Sequence, residues 1–577
     1  MKNEKWIMSS FSNGGKDKLV ELSKQTGLNP VIAGLLLKRG VDTPEKARKI
    51  FNFNQSDIPD TSLMADADKA VEEIHKAIKN YKTILVWADY DVDGIMSGSI
   101  LVNSLRNLGA DVKYCTSNRF YEGYGISVKA IKRVLKEYPT VDFVITVDNG
   151  IVAFDAIEEL NRRGKGCVIL DHHEPSDDGR IPNALAVCDA KRLDDKYPFK
   201  DICGAGLAYK IMRHLYSTYS YDVSFVDSML DLVGTATIAD MVTLKEENRY
   251  YVKKGLELIT NQSRLAMAIL INDLNGFNRN MPVDETLIGY YVAPALNAEG
   301  RMEGNARKAI ELFTSIERHT MEVNSKALVA LNEERKDATT QEFETAKKQI
   351  EENQLYNDNV IVVMNEDFQE GLVGLVAGRI KEEYGKPTIV LTENDGIYKG
   401  SARSVEGFHI KSVLDSMKET MLGYGGHAMA AGVTLEKNML QTFIKTMNQR
   451  AEEMHLPEEK TVYIDVILKP RNITVGLIET LEQLAPFGQG FEKPVIGLSD
   501  VRTSRRERMG KGDNPPHLKI YDDESNLPII DFNGADYYES IGSPVRLKCI
   551  GYPNKNVFRN NVTAQFLVSS HRIKADL

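Results

Sequence analysis

Four acidic clusters, each hung on the end of an apolar run, hold the residues of this chain best suited to chemistry. They read Asp89-Tyr90-Asp91-Val92-Asp93-Gly94, Val147-Asp148-Asn149-Gly150, Asp171-His172-His173 and Ala239-Asp240. Carboxylates crowded into one cleft repel each other unless a cation neutralises them. If the clusters converge, they make a metal site. Mixed carboxylate and imidazole ligation without thiolate suits Mn2+, with Mg2+ as the alternative, and argues against structural zinc. Two such ions about 3.5–4 Å apart would activate a bridging water and stabilise the leaving oxygen of a phosphoester. An EF-hand reading of the first cluster fails, because the twelfth position from Asp89 is Ile100 where that loop needs Glu. A solvated acidic turn accounts for one such cluster but not for four.

The elements that must position these groups are also legible. Thr83 to Ala88, Phe143 to Val147 and Cys167 to Leu170 are short, apolar and rich in β-branched residues, and read as buried parallel strands separated by helix-like stretches. Ligands of such a sheet bind beyond the carboxyl ends of its strands. Asp89, Asp91 and Asp93 are expected to alternate along an extended strand-to-loop segment.

A chain of 577 residues exceeds one core. Residues 1–80 read as a helical segment, with Thr43-Pro44-Glu45 as a helix start. Residues 81–317 carry the strand-and-helix alternation and all four clusters. A long charged helix spans 318–354, with Leu328, Leu331, Ala346 and Ile350 among its apolar positions. Residues 355–455 read as a second α/β domain, with a hairpin turn at Asp395-Gly396. From 460 to 577, alternating segments between turn-rich stretches suggest a small β-barrel.

Several cationic groups are candidate anion contacts. In Gly400-Ser401-Ala402-Arg403 and Gly425-Gly426-His427 the glycines let backbone approach a phosphate, and Arg can clamp it. Asn297 with Arg301, and Arg119 beside Phe120, carry a weaker version of the signal; each Arg could equally be a structural ion pair. Arg502, Arg505, Arg506, Arg508 and Lys511 crowd one stretch against Glu507 alone. They read as a solvated loop or as the phosphate grip of an oligonucleotide-binding barrel.

Composition bounds the rest. With 42% hydrophobic and 27% charged residues the chain is globular. A net charge of −10 opposes nucleic-acid binding only if read globally, since binding depends on local patches. Five scattered cysteines without CxxC spacing read as reduced thiols of a cytoplasmic protein. The polar start lacks a signal-peptide pattern, and no run approaches the ~18 apolar residues of a membrane span.

The four clusters, the last within Gly234-Thr235-Ala236-Thr237-Ile238-Ala239-Asp240, resemble the motifs of the DHH phosphoesterase superfamily. The 400–404 and 425–432 segments resemble its companion DHHA1 domain. Asn118-Arg119-Phe120 with Gly123-Tyr124-Gly125, Asn297-Ala298-Glu299-Gly300-Arg301, and Leu484-Ala485-Pro486-Phe487-Gly488-Gln489-Gly490 narrow the match. They are similar to the RecJ family of bacterial single-strand-specific 5′→3′ DNA exonucleases.

The resemblance implies an α/β protein with a parallel-sheet DHH domain, a smaller DHHA1 domain joined to it by the long helix, and a C-terminal OB-fold barrel. It implies two ions, Mn2+ or Mg2+, held by Asp89, Asp91, Asp93, Asp148, His172 and Asp240, with His173 as a ligand or a phosphate contact. Arg119, Asn297, Arg301, Gly400, Ser401, Arg403, Gly426 and His427 would meet the strand in the groove, and Arg505 and Arg506 would meet it on the barrel. The activity implied is removal of mononucleotides from single-stranded DNA in recombination and repair. The implied setting is a cytoplasmic monomer without membrane association, whose candidate protein partners are a single-strand-binding protein and a helicase.

Two departures stand out. Phe368-Gln369-Glu370-Gly371 occupies the place of a Trp-His-x-Gly pattern, and Cys188-Asp189 that of Asn-Pro. A small-substrate phosphodiesterase is the rival enzyme reading; the barrel counts against it. A catalytically silent scaffold is the rival of another class, and the intact Asp and His clusters count against that.

Overall fold

The computed structural model describes residues 4–9, 15–394, 396–454, 456, 460–510, 515–541, 545–558, 561–569 and 574–575. Asp395 of the expected hairpin and Lys511 of the basic stretch lie outside the described residues. Contacts divide the chain into two compact units. One contains residues 58–242 and 250–458; the described residues of the other fall within 3–57, 243–249 and 459–577.

The first unit holds two sheets. Strands β1 (Thr83–Ala88), β2 (Val112–Thr116), β3 (Val141–Val147), β4 (Gly166–Leu170) and β5 (Ala186–Cys188) form an all-parallel sheet in the order β2-β1-β3-β4-β5. Strand β1 shows why the run is apolar without alternation. Ile84, Val86 and Ala88 enter one core, Leu85 and Trp87 the core on the opposite face, and all are buried.

Helix α1 (Val92–Asn107) follows β1. Here the expected extended segment is corrected: Asp93 lies in the first turn of α1. The cause is Asp91, which caps the helix by accepting the N–H groups of Asp93 (3.0 Å) and Gly94 (3.1 Å). The helices that matter next are α2 (Gly204–Thr218), α3 (Leu230–Ala239), α4 (Ala293–Met302) and α5 (Arg318–Glu352). Helix α5 runs for 35 residues. Its Leu328 belongs to the first sheet's core, whereas Ala346 and Ile350 belong to a core of the second sheet.

That second sheet contains β6 (Ile361–Met364), then helix α6 (Val373–Tyr384), β7 (Thr388–Asn394), β8 (Ile397–Arg403), β9 (Gly423–Gly426) and β10 (Ala430–Glu436). The order is β9-β10-β8-β7-β6, parallel only between β6 and β7.

In the second unit the barrel sheet has eight strands among the described residues: seven run in the order 466–468, 496–503, 545–558, 561–568, 528–531, 517–521 and 505–509, and Lys574–Ala575 pairs with 545–558 off that path. The helical reading of the N-terminal segment omits one strand: Glu4–Met8 pairs in parallel with Lys460–Ile464. Its partner comes from near the other end of the chain, so no local pattern announces it. Arg249 knits the pieces of this unit together. Its fully buried guanidinium donates to the carbonyls of Ile50 (3.0 Å), Pro486 (2.7 Å), Leu484 (2.5 Å) and Ala485 (2.9 Å). It also lies over the Phe491 ring, 4.6 Å from the centroid.

Arg249→Met should therefore strand several buried carbonyls and cost this unit about 3 kcal/mol or more. Urea unfolding followed by a probe in the barrel would measure it. An unchanged midpoint would remove Arg249 from this role.

Candidate metal centre and phosphate cleft

The carboxyl ends of β1, β3 and β4 and the C-terminus of α3 bring all four clusters together. Asp89, Asp93, Asp148 and His172 are buried. Ligand-capable atoms come within 4.8 Å of one another in three overlapping groups: Asp89 with Asp91 and Asp148, Asp93 with His172 and Asp240, and Asp148 with His172 and His173. His172 Nε2 lies 3.0 Å from Asp148 Oδ1, 3.5 Å from Asp93 Oδ2 and 3.8 Å from Asp240 Oδ2.

Backbone geometry sets this convergence. Asp148 takes the left-handed conformation at φ 61°, uncommon for a residue with a side chain. Asp93 accepts N–H groups of Gly204 (2.5 Å) and Ala205 (2.7 Å) at the start of α2, where the helix dipole favours a carboxylate. Gly204 is required there, because a Cβ would come within 2.9 Å of Asp148 Cβ and 3.1 Å of Asp93 Oδ2.

Electrostatics mark the cluster as incomplete by itself. Burial, and then the charge of Asp91, push Asp89 well above the usual carboxylate range and Asp93 up to about 7. Burial and then Asp93 push Asp240 up to about 8 and raise Asp148 strongly. Asp89 Oδ1 is buried without any hydrogen-bond partner. A carboxylate oxygen left so is costly, and a cation is the group that would satisfy it. The donor set of carboxylate oxygens and imidazole nitrogens fits Mn2+ or Mg2+.

The two histidines differ. Burial and then the neighbouring His173 depress His172 to about 3, so it is a neutral imidazole. Burial works against charging His173 too, but its hydrogen bond to Asp171 and the nearby carboxylates outweigh it and raise it to about 9. Asp171 is a positioning residue that the reading of the motif passed over. It accepts His173 Nδ1 (2.7 Å), the His172 N–H (2.8 Å) and the Ile151 N–H (2.8 Å). Tyr124 was legible only as part of a motif. Its hydroxyl lies 3.0 Å from His173 Nε2 and donates to the Asp148 carbonyl at 3.2 Å.

A cleft of about 580 Å3 separates the two sheets' lobes, lined by Arg119, Arg301, Gly400, Ser401 and Arg403 among others. Arg301 donates to the Gly371 carbonyl at 3.3 Å, and Arg403 to Ser401 Oγ at 2.6 Å. Arg119 lies 5.1 Å over the Tyr90 ring. None of these three makes an ion pair among the described residues. Burial, then the charges of Arg119, Arg335 and Arg403, lowers Arg301 to about 10; burial also lowers Arg403. Such a set of uncompensated guanidiniums is a receptor for anions.

Other expected contacts lie elsewhere. Asn297, Gly426 and His427 are not among the residues lining the cleft. Asn297 Oδ1 accepts the Val92 N–H (3.1 Å) and so secures α1, while His427 is exposed beside the β9–β10 turn. On the barrel the basic stretch is internally paired. Arg505 bonds Glu507 (2.8 Å) and stacks on Tyr521 (3.9 Å); Arg506 donates to the Tyr538 carbonyl (3.0 Å). Arg508 pairs with Glu539 (2.8 Å) and Asp536 (3.0 Å).

Residues 83–237 match the DHH family, N-terminal domain; 357–453 match the DHHA1 domain; 464–570 match the RecJ OB domain. The single-stranded-DNA-specific exonuclease RecJ of Bacillus subtilis is 31% identical over 560 residues, covering 96% of this chain and 69% of that protein. The Escherichia coli protein of the same name is 29% identical over 516 residues, covering 85% of this chain and 86% of that one. The crystal structure of RecJ in complex with Mn2+ from Thermus thermophilus has the same fold, with a TM-score of 0.83 at 23% identity, covering 98% of this chain and 79% of that one.

The raised carboxylates set a sign for stability. In the folded chain without metal, Asp93 and Asp240 keep protons up to about 7 and about 8, against an ordinary 3.8. Folding takes up protons in that interval, so stability should fall as pH rises through it. Mn2+ should restore it most at the alkaline end, where the carboxylates are ionised. Thermal melts in chelator and in Mn2+ should therefore diverge with rising pH. A chelated protein whose Tm climbs over the same interval would contradict the raised values.

Proposed function

Since the chain belongs to the RecJ family, we propose that it is a metal-dependent exonuclease that removes mononucleotides from the 5′ end of single-stranded DNA. The observation that carries this reading is a pairing within one unit. A buried carboxylate–imidazole cluster with a donor set suited to divalent cations accompanies a cleft whose arginines make no ion pair among the described residues. A phosphodiester strand with divalent ions answers both needs.

Asp89, Asp91, Asp93, Asp148, His172 and Asp240 would hold the metal. Two ions of Mn2+ or Mg2+ supply charge neutralisation, an activated water and stabilisation of the leaving oxygen. The chain's own groups do the rest. Arg119, Arg301, Ser401 and Arg403 bind phosphate oxygens and hold the 5′ end in register. Asp171 and Tyr124 hold His173 from both sides, so that its protonated ring is a fixed positive charge beside the phosphate as negative charge builds there. His172, kept neutral, is available as a ligand. No side-chain nucleophile is required.

The barrel is the second part of the proposal. It would bind longer single strands through phosphates and stacking, with Arg505 on Tyr521 and Lys519 beside the same ring. Cellular roles in recombination and repair, and encounters with a single-strand-binding protein or a helicase, would follow from that substrate.

Digestion of 5′- and 3′-labelled single strands of DNA and RNA, with Mn2+ or Mg2+, tests the activity. The 5′ label should appear first as mononucleotide. Asp148→Asn and His172→Ala should each abolish turnover while the folded chain persists by circular dichroism. Wild-type rates in either variant at saturating Mn2+ would sink the assignment.

Reversal of Arg505 and Arg506 to Glu should weaken binding of long strands. It should also flatten the log–log salt dependence, which runs about 0.7 per neutralised phosphate on a single strand, by roughly one unit. An unaltered slope would take these two residues out of the interface.

A further inference from the structure

Helix α5 carries one more uncompensated cation. Arg335 is half-buried, and its Nε and Nη2 both donate to Asn332 Oδ1 at 3.2 and 3.0 Å. It makes no ion pair among the described residues. Asn332 is itself buried. It therefore aims the guanidinium without neutralising it, and donor groups are left over. Of its acidic neighbours in sequence, Glu333 pairs with Lys336 at 2.7 Å, and Glu334 and Asp337 make no ion pair with Arg335.

Arg335 is not among the residues lining the cleft, but its helix packs against elements that carry some of them. Arg335, Thr339 and Glu342 follow each other at helical spacing on one face of α5, and the latter two are buried. Two turns, roughly 10 Å, separate Arg335 from Glu342. Glu342 Oε1 accepts the Gln369 N–H at 3.0 Å. That backbone segment continues to Gly371, whose carbonyl receives Arg301. A side chain at Gly371 would overlap the Arg301 backbone, so the segment and α4 pack in direct contact. Helix α4, which carries Arg301, packs along α5. The charge of Arg335 also bears on Arg301, next after those of burial and Arg119. Arg379 follows on the far side, over the Phe343 ring and bonded to Thr340.

A buried-side arginine with a polar orienter and no carboxylate is costly unless an anion arrives. We infer that Arg335, oriented by Asn332, is a strand-binding residue that receives a phosphodiester one or more nucleotides inward from the 5′ end held by Arg301 and Arg403. This rests on the proposed reading of the cleft as the path of a DNA strand. It extends that path from the cleft onto the connecting helix and gives α5 a role beyond spacing.

Arg335→Gln, Arg335→Lys and Asn332→Ala are the variants to make in the full chain, with thermal melts to establish folding. Steady-state cleavage would be followed on single strands from a dinucleotide upward. For Arg335→Gln, KM should rise about tenfold on long strands, as expected for one lost charge-assisted bond, with kcat little changed. The loss should shrink as the strand shortens. Arg335→Lys should recover part of it, and Asn332→Ala should give a smaller rise of the same length dependence. In parallel, binding of a fluorescent single strand in Ca2+ would be titrated against salt. Arg335→Gln should flatten the slope by about 0.7. An equal loss on all lengths, a fall confined to kcat, or an unchanged salt slope would overturn the inference. A wild-type chain that binds strands but releases no nucleotide would defeat the proposed activity instead, and the salt titration would still decide Arg335.

Discussion

Like charges crowded away from water repel with little solvent to screen them, and that constraint governs this molecule twice. At one place carboxylates gather until several hold protons far above their ordinary range. At another, three arginines that make no ion pair among the described residues line one cleft. Neither arrangement is favourable for a chain with nothing bound. Each becomes favourable when the missing counter-charge arrives, and a phosphate strand with divalent cations carries both signs. The proposed chemistry and the proposed recognition are two halves of one electrostatic requirement.

The fold tolerates this because the charged groups hang from a well-packed frame. Strand β1 is buried on both faces, so the turn after Ala88 has little freedom to relax away from repulsion. Asp91 is used twice. It starts α1 as its cap, and that same geometry delivers Asp93 into the first turn, onto the N-terminus of α2. Asp171 shows the same economy, bonded to a backbone N–H of the neighbouring loop while it orients His173. Residues that position the site are thus also residues that close the strand ends.

The barrel follows a different rule. Its arginines are paired with nearby acids or carbonyls, and Arg505 rests on Tyr521. Exposed pairs of this kind exchange partners at little cost. On the proposed reading, a surface that meets many strands in passing needs reversible contacts, whereas a cleft that receives a single terminus would keep its arginines uncommitted.

From the sequence alone came three strands of the first sheet with an acidic cluster at the end of each, the fourth cluster at Asp240, the long helix and the barrel. These are local signals: apolar runs, helical periodicity and residue types at short spacing. Three of the clusters could be assigned to one place because the ends of parallel strands share an edge, whereas Asp240 is brought to them by helix α3. What needed tertiary structure were the relations between distant segments. The pairing of Glu4–Met8 with Lys460–Ile464 has no local cause, and Asn297 turned out to secure Val92. Arg301 and Arg403 became one cleft only when the two sheets were placed together. Whether Arg505 is bare or paired depended on Glu507 and Tyr521 lying on the same strand face and its neighbour. Arg335 is one of many charges on a long helix in the sequence, and its bearing on Arg301 comes from the packing of α4 along α5. Spacing along the chain determines which groups share an element, but the counter-charge each group meets is set by packing between elements, and that balance decides which cations and carboxylates are left to bind something else.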